Sequence, residues 1–323
     1  MKHTLFIGIV FFFMACQEKG KKNTRYVPDS SGNINDVTIV MSQQEWDGLL
    51  GKNVRNLLGK PYEGLPLDEP EFSWRHLNPK AFSGFMRQSR NILLFQKDSI
   101  GRFALSKDPF AKPQIVAHIT GEDSEIQAHY LSENIELLRR TLSENERKEK
   151  LRRIKKSLSK ETTLAETFGI RLKYPSAYET AKETANFIWI EKPIQKGHLN
   201  IIAYTLPLSA LNVTSIQNSL IKMRDSIGAA HLPGRLPNTH MITERAYAPY
   251  FYKTSLSGKT AYLTKGMWEV KNDYMAGPFV NYAVADSTAN RWVVIEGFAF
   301  APSVSKRDYM FELNSILSTL EIE

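Results

Sequence analysis

The sequence predicts an α+β protein whose sheets are mostly antiparallel and packed against amphipathic helices. Three observations carry that expectation. Short β-type runs outnumber the helical segments and do not alternate with them as in a doubly wound fold. The helical segments place apolar residues three and four apart, so each has one face to bury. With 323 residues, 42% of them apolar, the chain is long enough for two cores.

Order begins at residues 36–41 (DVTIVM), a β-type run. Ser42 and Glu45 then form a capping box, and Trp46, Leu49, Leu50, Val54, Leu57 and Leu58 extend a helix that Gly59 stops. Residues 61–70 (PYEGLPLDEP) form a proline-punctuated loop. Residues 91–96 (NILLFQ) and 114–120 (QIVAHIT) predict strands. From 124 to 142 a helix is expected, with Leu131, Ile135, Leu138 and Leu142 on one stripe. Leu151 falls about half a turn off that stripe, and Ser143 with Glu146 makes a second capping box. A separate helix over 144–159 is therefore expected, with Leu151, Ile154 and Leu158 as its own stripe. That break is the expected domain boundary.

The second half opens with an alternating run, 168–174 (FGIRLKY), closed by Pro175 and read as a strand. Strands follow at 187–191 and 199–206. A helix over 215–227 carries Ile216, Leu220, Met223 and Ile227, with Gly228 as its stop. Residues 241–302 read as several strands, the clearest at 292–299, with a hairpin turn at Ser257-Gly258. A last helix, 305–321, carries Tyr309, Leu313, Ile316, Leu317 and Leu320. Both halves end on a β-run, a loop and a helix, which suggests two related lobes. The expected organisation is a signal peptide at 1–15, a lipidated cysteine and flexible tether at 16–36, an N-terminal α/β lobe at 37–142, a basic linker helix at 143–162, and a C-terminal α+β lobe at 163–323.

Lys2 precedes ten apolar residues, 5–14. As a helix these rise only about 15 Å, half a bilayer core, so they read as a secretory signal and not a span. Residues 13–16 (FMAC) resemble a bacterial lipobox, in which a small residue precedes an acylated cysteine; Phe13 and Met14 depart from its commonest residues. Cys16 is the only cysteine, which excludes an internal disulfide and a cysteine zinc cage. Several acyl chains on Cys16 make anchoring stable where one is marginal. Gln17 following the cysteine, by resemblance to Gram-negative lipoproteins, implies the outer membrane. The absence of an acidic run at 17–22 (QEKGKK) favours its periplasmic face.

Net charge is +8, and it is local. Residues 139–160 hold ten basic side chains against Glu144, Glu146 and Glu149, and no aromatic. A nucleic-acid-binding surface spreads its cations over a face and interleaves stacking rings, so that class is excluded. The window reads as a patch for anionic lipid or polymer, or as a solvated helix.

Catalytic signatures are missing. No G-x-S-x-G elbow occurs. Gly258-Lys259-Thr260 lacks the earlier glycine of a P-loop, Lys253 standing there, and no histidine pair has zincin spacing. His118, Glu122, Asp123 and His129 cluster in sequence, as metal ligands or, more simply, as a strand histidine and acids at a helix N-terminus. No metal and no cofactor are expected. Between Tyr247 and Phe300 twelve aromatics crowd the chain. Tyr250 and Tyr252 flank Phe251 on a strand and so share a face. With Trp268 they are the candidate recognition aromatics for a protein or glycan partner, set against plain core packing.

Several segments together resemble a known family. They are 36–41 (DVTIVM) with Trp46, 65–72 (LPLDEPEF), Phe82-Ser83-Gly84-Phe85 with Arg90-Asn91-Ile92, Gly277-Pro278-Phe279, and 295–306 (IEGFAFAPSVSK). Nearly the whole mature chain is similar to an uncharacterised lipoprotein family of Gram-negative, Bacteroidetes-type bacteria, a domain of unknown function. The resemblance implies a lipid anchor and an envelope location, and no activity, ligand or catalytic residue. The sequence thus reads as a lipid-anchored envelope protein, a non-enzymatic binding or scaffolding module; the rival readings are an envelope-polymer hydrolase and a lipid-handling protein.

Overall fold

Residues 26–323 are described by a computed structural model, with six α-helices and fifteen strands among them. Cys16, the signal segment and the first part of the tether lie outside the described residues. The β-type run at 36–41 forms β1 (Asp36–Val40), followed by α1 (Gln43–Asp47), α2 (Leu49–Leu58) and β2 (Ser73–Leu77). β3 (Asn91–Lys97), β4 (Arg102–Lys107), β5 (Ile115–Gly121) and α3 (Ser124–Ile154) complete the first lobe. The sheet order is β2-β1-β3-β5-β4; the first four strands are parallel and only β4 runs antiparallel. Val37, Ile39, Leu93 and Ala117 of the sheet pack with Val54 and Leu58 of α2 and with Leu131, Ile135, Leu138 and Leu142 of α3.

The Ser42–Glu45 capping box forms as expected, yet Gly48 divides the predicted single helix into α1 and α2. β2 and β4 carried no strong sequence signal. The tether is ordered earlier than expected: Asp29 pairs with Lys112, Ser31 with Ser89, and Asn35 is buried.

The larger correction concerns α3. The helices expected at 124–142 and 144–159 are one helix of 31 residues, followed by a 3-10 turn at Lys155–Ser157. The buried stripe does not stop at Leu142; it continues through Asn145, Glu146, Glu149 and Ile154. The face keeps its helical period and changes chemistry. Ser143 and Glu146 form no cap, because Glu146 is spent on a buried arginine.

The second lobe begins with α4 (Thr163–Phe168) and β6 (Ile170–Arg171). Gly169 closes α4 in the left-handed conformation, so the strand expected over 168–174 shrinks to two residues. β7 (Glu179–Thr184), β8 (Phe187–Ile194) and β9 (Gly197–Pro207) lead to α5 (Ile216–His231). β10 (Met241–Thr243), β11 (Tyr250–Leu256), β12 (Lys259–Val270), β13 (Ala276–Asp286), β14 (Arg291–Phe300), α6 (Arg307–Leu317) and β15 (Glu321–Ile322) follow. The large sheet runs β10-β12-β13-β14-β9-β8-β7, with β11 on the edge of β12, all antiparallel. The two lobes therefore do not share a sheet topology.

Alternate residues of β14 face opposite layers. Val293, Ile295 and Ala299 meet Leu313, Ile316 and Leu317 of α6; Trp292, Val294 and Phe298 turn to the side covered by α5. Gly228 does not stop α5. A Cβ there would lie 2.1 Å from the Met241 carbonyl, so this glycine lets α5 press onto β10.

The lobes meet along α3 and α6. Backbone N–H groups of Lys306 and Arg307, at the start of α6, donate to the Glu69 carboxylate at 2.8 and 2.9 Å. The first lobe thus caps a helix of the second, where a carboxylate satisfies orphan donors and offsets the dipole. Lys150 of α3 pairs with Glu312 of α6 at 3.0 Å, and Asn35 donates to Asp308 at 3.2 Å.

Candidate functional site

The two faces of the large sheet differ in chemistry. The α6 face is mostly aliphatic, whereas the α5 face holds Trp189, Asn200, Tyr204, Trp268, Asn281 and Glu296. At its centre Glu296, fully buried, takes a two-pronged bond from Arg224 of α5, at 2.9 and 2.8 Å. Arg224 also donates to Thr243 at 3.0 Å and lies 3.9 Å from the centre of the Phe279 ring. Asn281 donates to the same carboxylate at 2.9 Å. Burial first, then the Glu296 charge, pushes the Tyr204 phenol up. Every charge here is matched, so the cluster pins α5 to the sheet and offers no free group for chemistry.

Beside it, towards the ends of β8, β9, β12 and β14, lies a cleft of about 200 Å³. Trp189, Trp268, Phe298 and Phe300 line it, with Met241 and Met275. Ring centres are 5.8 Å apart for Trp268–Phe298, 6.2 Å for Trp268–Phe300 and 6.5 Å for Trp189–Phe298. Gly277, directly across from Trp268 on β13, has no room for a Cβ, which would meet the Ala299 carbonyl at 2.1 Å and the indole nitrogen at 3.0 Å. The indole is thereby laid flat over the strand. Glu191, His198 and Asn200 supply the polar lining. Asn200 accepts from the Trp189 indole at 3.0 Å, and His198 Nδ1 lies 3.6 Å from Glu191. The Trp268 indole N–H, buried with its side chain, finds no acceptor among the described residues. A buried donor left so costs about 1–3 kcal/mol.

A second hollow, about 260 Å³, lies between the lobes and is lined by Tyr62, Glu71, Arg140, Arg147, Lys265 and Asn314 among others. Burial raises the Glu71 carboxyl against the pull of Lys60 and Arg139, and burial pushes the Tyr282 phenol nearby up to about 12. Its acids and bases compensate one another, and it brings together no nucleophile with a base.

The structure separates the candidate aromatics. Tyr250 and Tyr252 lie half-exposed on the edge strand β11, sharing a face, while Phe251 stacks on Tyr262 on the other. The Tyr252 hydroxyl donates to Glu63 of the first lobe at 3.0 Å. Trp268 is not an exposed platform. It is 2% exposed, because both faces of the sheet are covered, and it takes part in recognition only as the wall of the cleft. Phe279, Trp292 and Phe298 of the aromatic-rich stretch are core as well. Of the sequence cluster at 118–129, Asp123 caps α3 and His129 packs edge-on to Tyr130. Among the described residues no group of three or more His, Cys, Asp or Glu could hold a metal ion.

The sequence reading assigns none of Arg224, Glu296, Arg90 and Glu146 a buried partner, and takes Glu146 for a cap. A signal existed for each helical one. Arg224 is four residues beyond Leu220, and Glu146 four beyond Leu142, so both lie on buried stripes. Glu296 sits mid-run in an apolar strand, where only a paired charge is tolerated.

Comparisons with known proteins bear on the family more than on the activity. No curated protein sequence matches the chain. The yeast Saccharomyces cerevisiae Ran-binding protein Mog1p is similar over 47% of this chain and 89% of its own, at 9% identity and a TM-score of 0.33. LpqN of Mycobacterium tuberculosis, described as involved in cell envelope biogenesis, is similar over 47% and 82%, at 15% identity and a TM-score of 0.31. At these TM-scores neither likeness carries an argument. Residues 30–155 match the domain of unknown function DUF8532. Residues 157–319, half of the chain, match the domain of unknown function DUF4837, and the chain belongs to that family.

Proposed function

We propose that this protein is a lipid-anchored binding module of the cell envelope, tethered by Cys16 at the periplasmic face of the outer membrane, that holds a small and largely apolar ligand in the α5-face cleft. The observation that carries the ligand reading is the cleft itself, walled by the rings of Trp189, Trp268, Phe298 and Phe300 with Glu191, His198 and Asn200 on its polar side. A ligand with an aromatic or aliphatic body would stack on these rings, with Glu191, His198 and Asn200 meeting its polar end. The lipobox-like residues 13–16 support the anchor. The cleft is too small for a long acyl chain and brings no nucleophile to a base, so neither the lipid-carrier nor the hydrolase reading gains support.

Acetophenone, a ring bearing one carbonyl acceptor, is a suitable probe, read from the indole N–H resonances of the five tryptophans. Trp268 and Trp189 should shift on titration while Trp46, Trp74 and Trp292 stay still, the Trp268 signal being assigned with Trp268→Phe. Equal movement of all five, or of none, would reject the cleft as a site. For the anchor, Cys16→Ala should abolish palmitate labelling and release the protein from the membrane fraction.

A further inference from the structure

A basic cleft of about 580 Å³ opens between the C-terminal end of α3 and the β6–β15 edge of the second lobe. Lys148, Arg152, Lys155 and Lys173 line it, over Leu151 and Leu320. Arg152 and Lys173 are engaged, with Glu149 at 2.7 Å and Glu321 at 2.5 Å. Lys148 and Lys155 have no acidic partner among the described residues, nor has the adjacent Lys156, and all three are exposed. Glu146 and Glu149 appear in sequence to dilute this charge. Both are buried, one against Arg90 and the other beneath Arg152 and Arg153, so the surface is more basic than the sequence suggests.

The same end of α3 receives the N-terminal segment. Arg153 donates to the Gly32 carbonyl at 2.9 Å, and Asp29 lies close enough to add to the field on Arg152. Twelve residues lie between Cys16 and Asp29, thirteen steps along the chain. Fully extended they span at most about 45 Å. The segment docks at Asp29–Gly32 beside Arg152 and Arg153, so an acylated Cys16 would keep this end of α3 within reach of the leaflet.

We propose that the Lys148–Arg152–Lys155 cleft binds the phosphate headgroups of anionic phospholipids beside the anchor, giving the protein a second membrane contact that sets its orientation. The proposal rests on the lipid-anchor reading for its place in the cell, but its chemistry does not need the acyl chains. Phosphates take the place of the missing carboxylates opposite Lys148, Lys155 and Lys156, while the partly buried Leu151 lies against the glycerol region. The field of an anionic leaflet decays within a Debye length, so only cations held at the surface contribute.

The test uses the mature chain with Cys16→Ser, free of lipid, sedimented with vesicles of phosphatidylcholine alone or mixed with phosphatidylglycerol. Binding should require phosphatidylglycerol and weaken with salt. Each basic residue at such a surface contributes about fivefold in partition. Lys148→Glu/Lys155→Glu/Lys156→Glu should therefore lose about a hundredfold or more. Lys80→Glu/Lys107→Glu/Lys222→Glu, an equal charge change at exposed sites elsewhere, should bind nearly as the parent does. Equal losses in both triple variants, or binding indifferent to phosphatidylglycerol, would overturn the proposal. Palmitate labelling of Cys16 in cells reports on the anchor separately, so the two readings can fail independently.

Discussion

Each lobe buries one arginine–glutamate cluster, and the two are built differently. In the second lobe Arg224 and Glu296 meet mainly side chains: Asn281, Thr243 and the Phe279 ring. In the first lobe Glu146 accepts from Arg90 at 2.6 Å, from the Asn91 side chain, and from the Asn35 backbone N–H at 2.8 Å. Arg90 in turn donates to the carbonyls of Gly32 and Asn33. One cluster pins a helix to a sheet. The other supplies the hydrogen bonds of an irregular chain segment that has no ladder of its own, and that segment leads to the lobe interface through Asn35 and Asp308. A buried ion pair is exchanged for apolar residues at lower cost where no backbone group depends on it.

That difference predicts the largest effects. Glu146→Ala and Arg224→Ala should each cost about 3–5 kcal/mol in denaturant unfolding, since each strands a buried charge. The paired replacements should then part company. Arg224→Met/Glu296→Leu should recover more of the loss, since it leaves only the Asn281 and Thr243 side chains, and no backbone group, without their partner. Arg90→Met/Glu146→Leu should not, because the buried backbone N–H of Asn35 stays orphaned. Equal recovery in both lobes would erase the distinction.

A smaller effect sharpens the comparison at the interface. Burial alone would raise the Glu312 carboxyl, but Lys150 and Lys192 outweigh it and hold the group below its usual value. A carboxylate depressed in the folded state stabilises above its unfolded pKa, and that stability is lost as pH falls through the folded value. Glu312→Gln should lower stability at neutral pH by about 1.5–3 kcal/mol. It should also flatten the acid limb of the melting curve below about pH 4. An unchanged acid limb would show that Glu312 does not couple the lobes.

The smallest is the borrowed cap. Glu69→Ala removes the acceptor for two N–H groups at the start of α6, and should cost about 1 kcal/mol by thermal melting. Glu69→Gln should recover part of it, since an amide oxygen still accepts. A loss confined to α6 amide-exchange protection would identify the effect as capping rather than misfolding.

Much of this architecture was legible in the sequence. The Ser42 cap, strands β3, β5, β8, β9 and β14, and the stripes of α3, α5 and α6 follow from local periodicity and capping chemistry, which a chain carries within a few residues. The parallel pairing of β1 with β2 and β3 was not legible, because pairing direction is set by crossovers between distant segments. Nor was the continuity of α3: Asn145, Glu146 and Glu149 extend its buried stripe only because Arg90, Asn91, Arg152 and Arg153 converge on them. Trp268 could be singled out as an aromatic on a strand, but its burial depends on α5 and the 232–240 segment covering that face. The local pattern of a sequence states which side chains share a face. Whether a face is wet, apolar or ionic depends on what the rest of the chain brings against it, and that is a property of the tertiary fold.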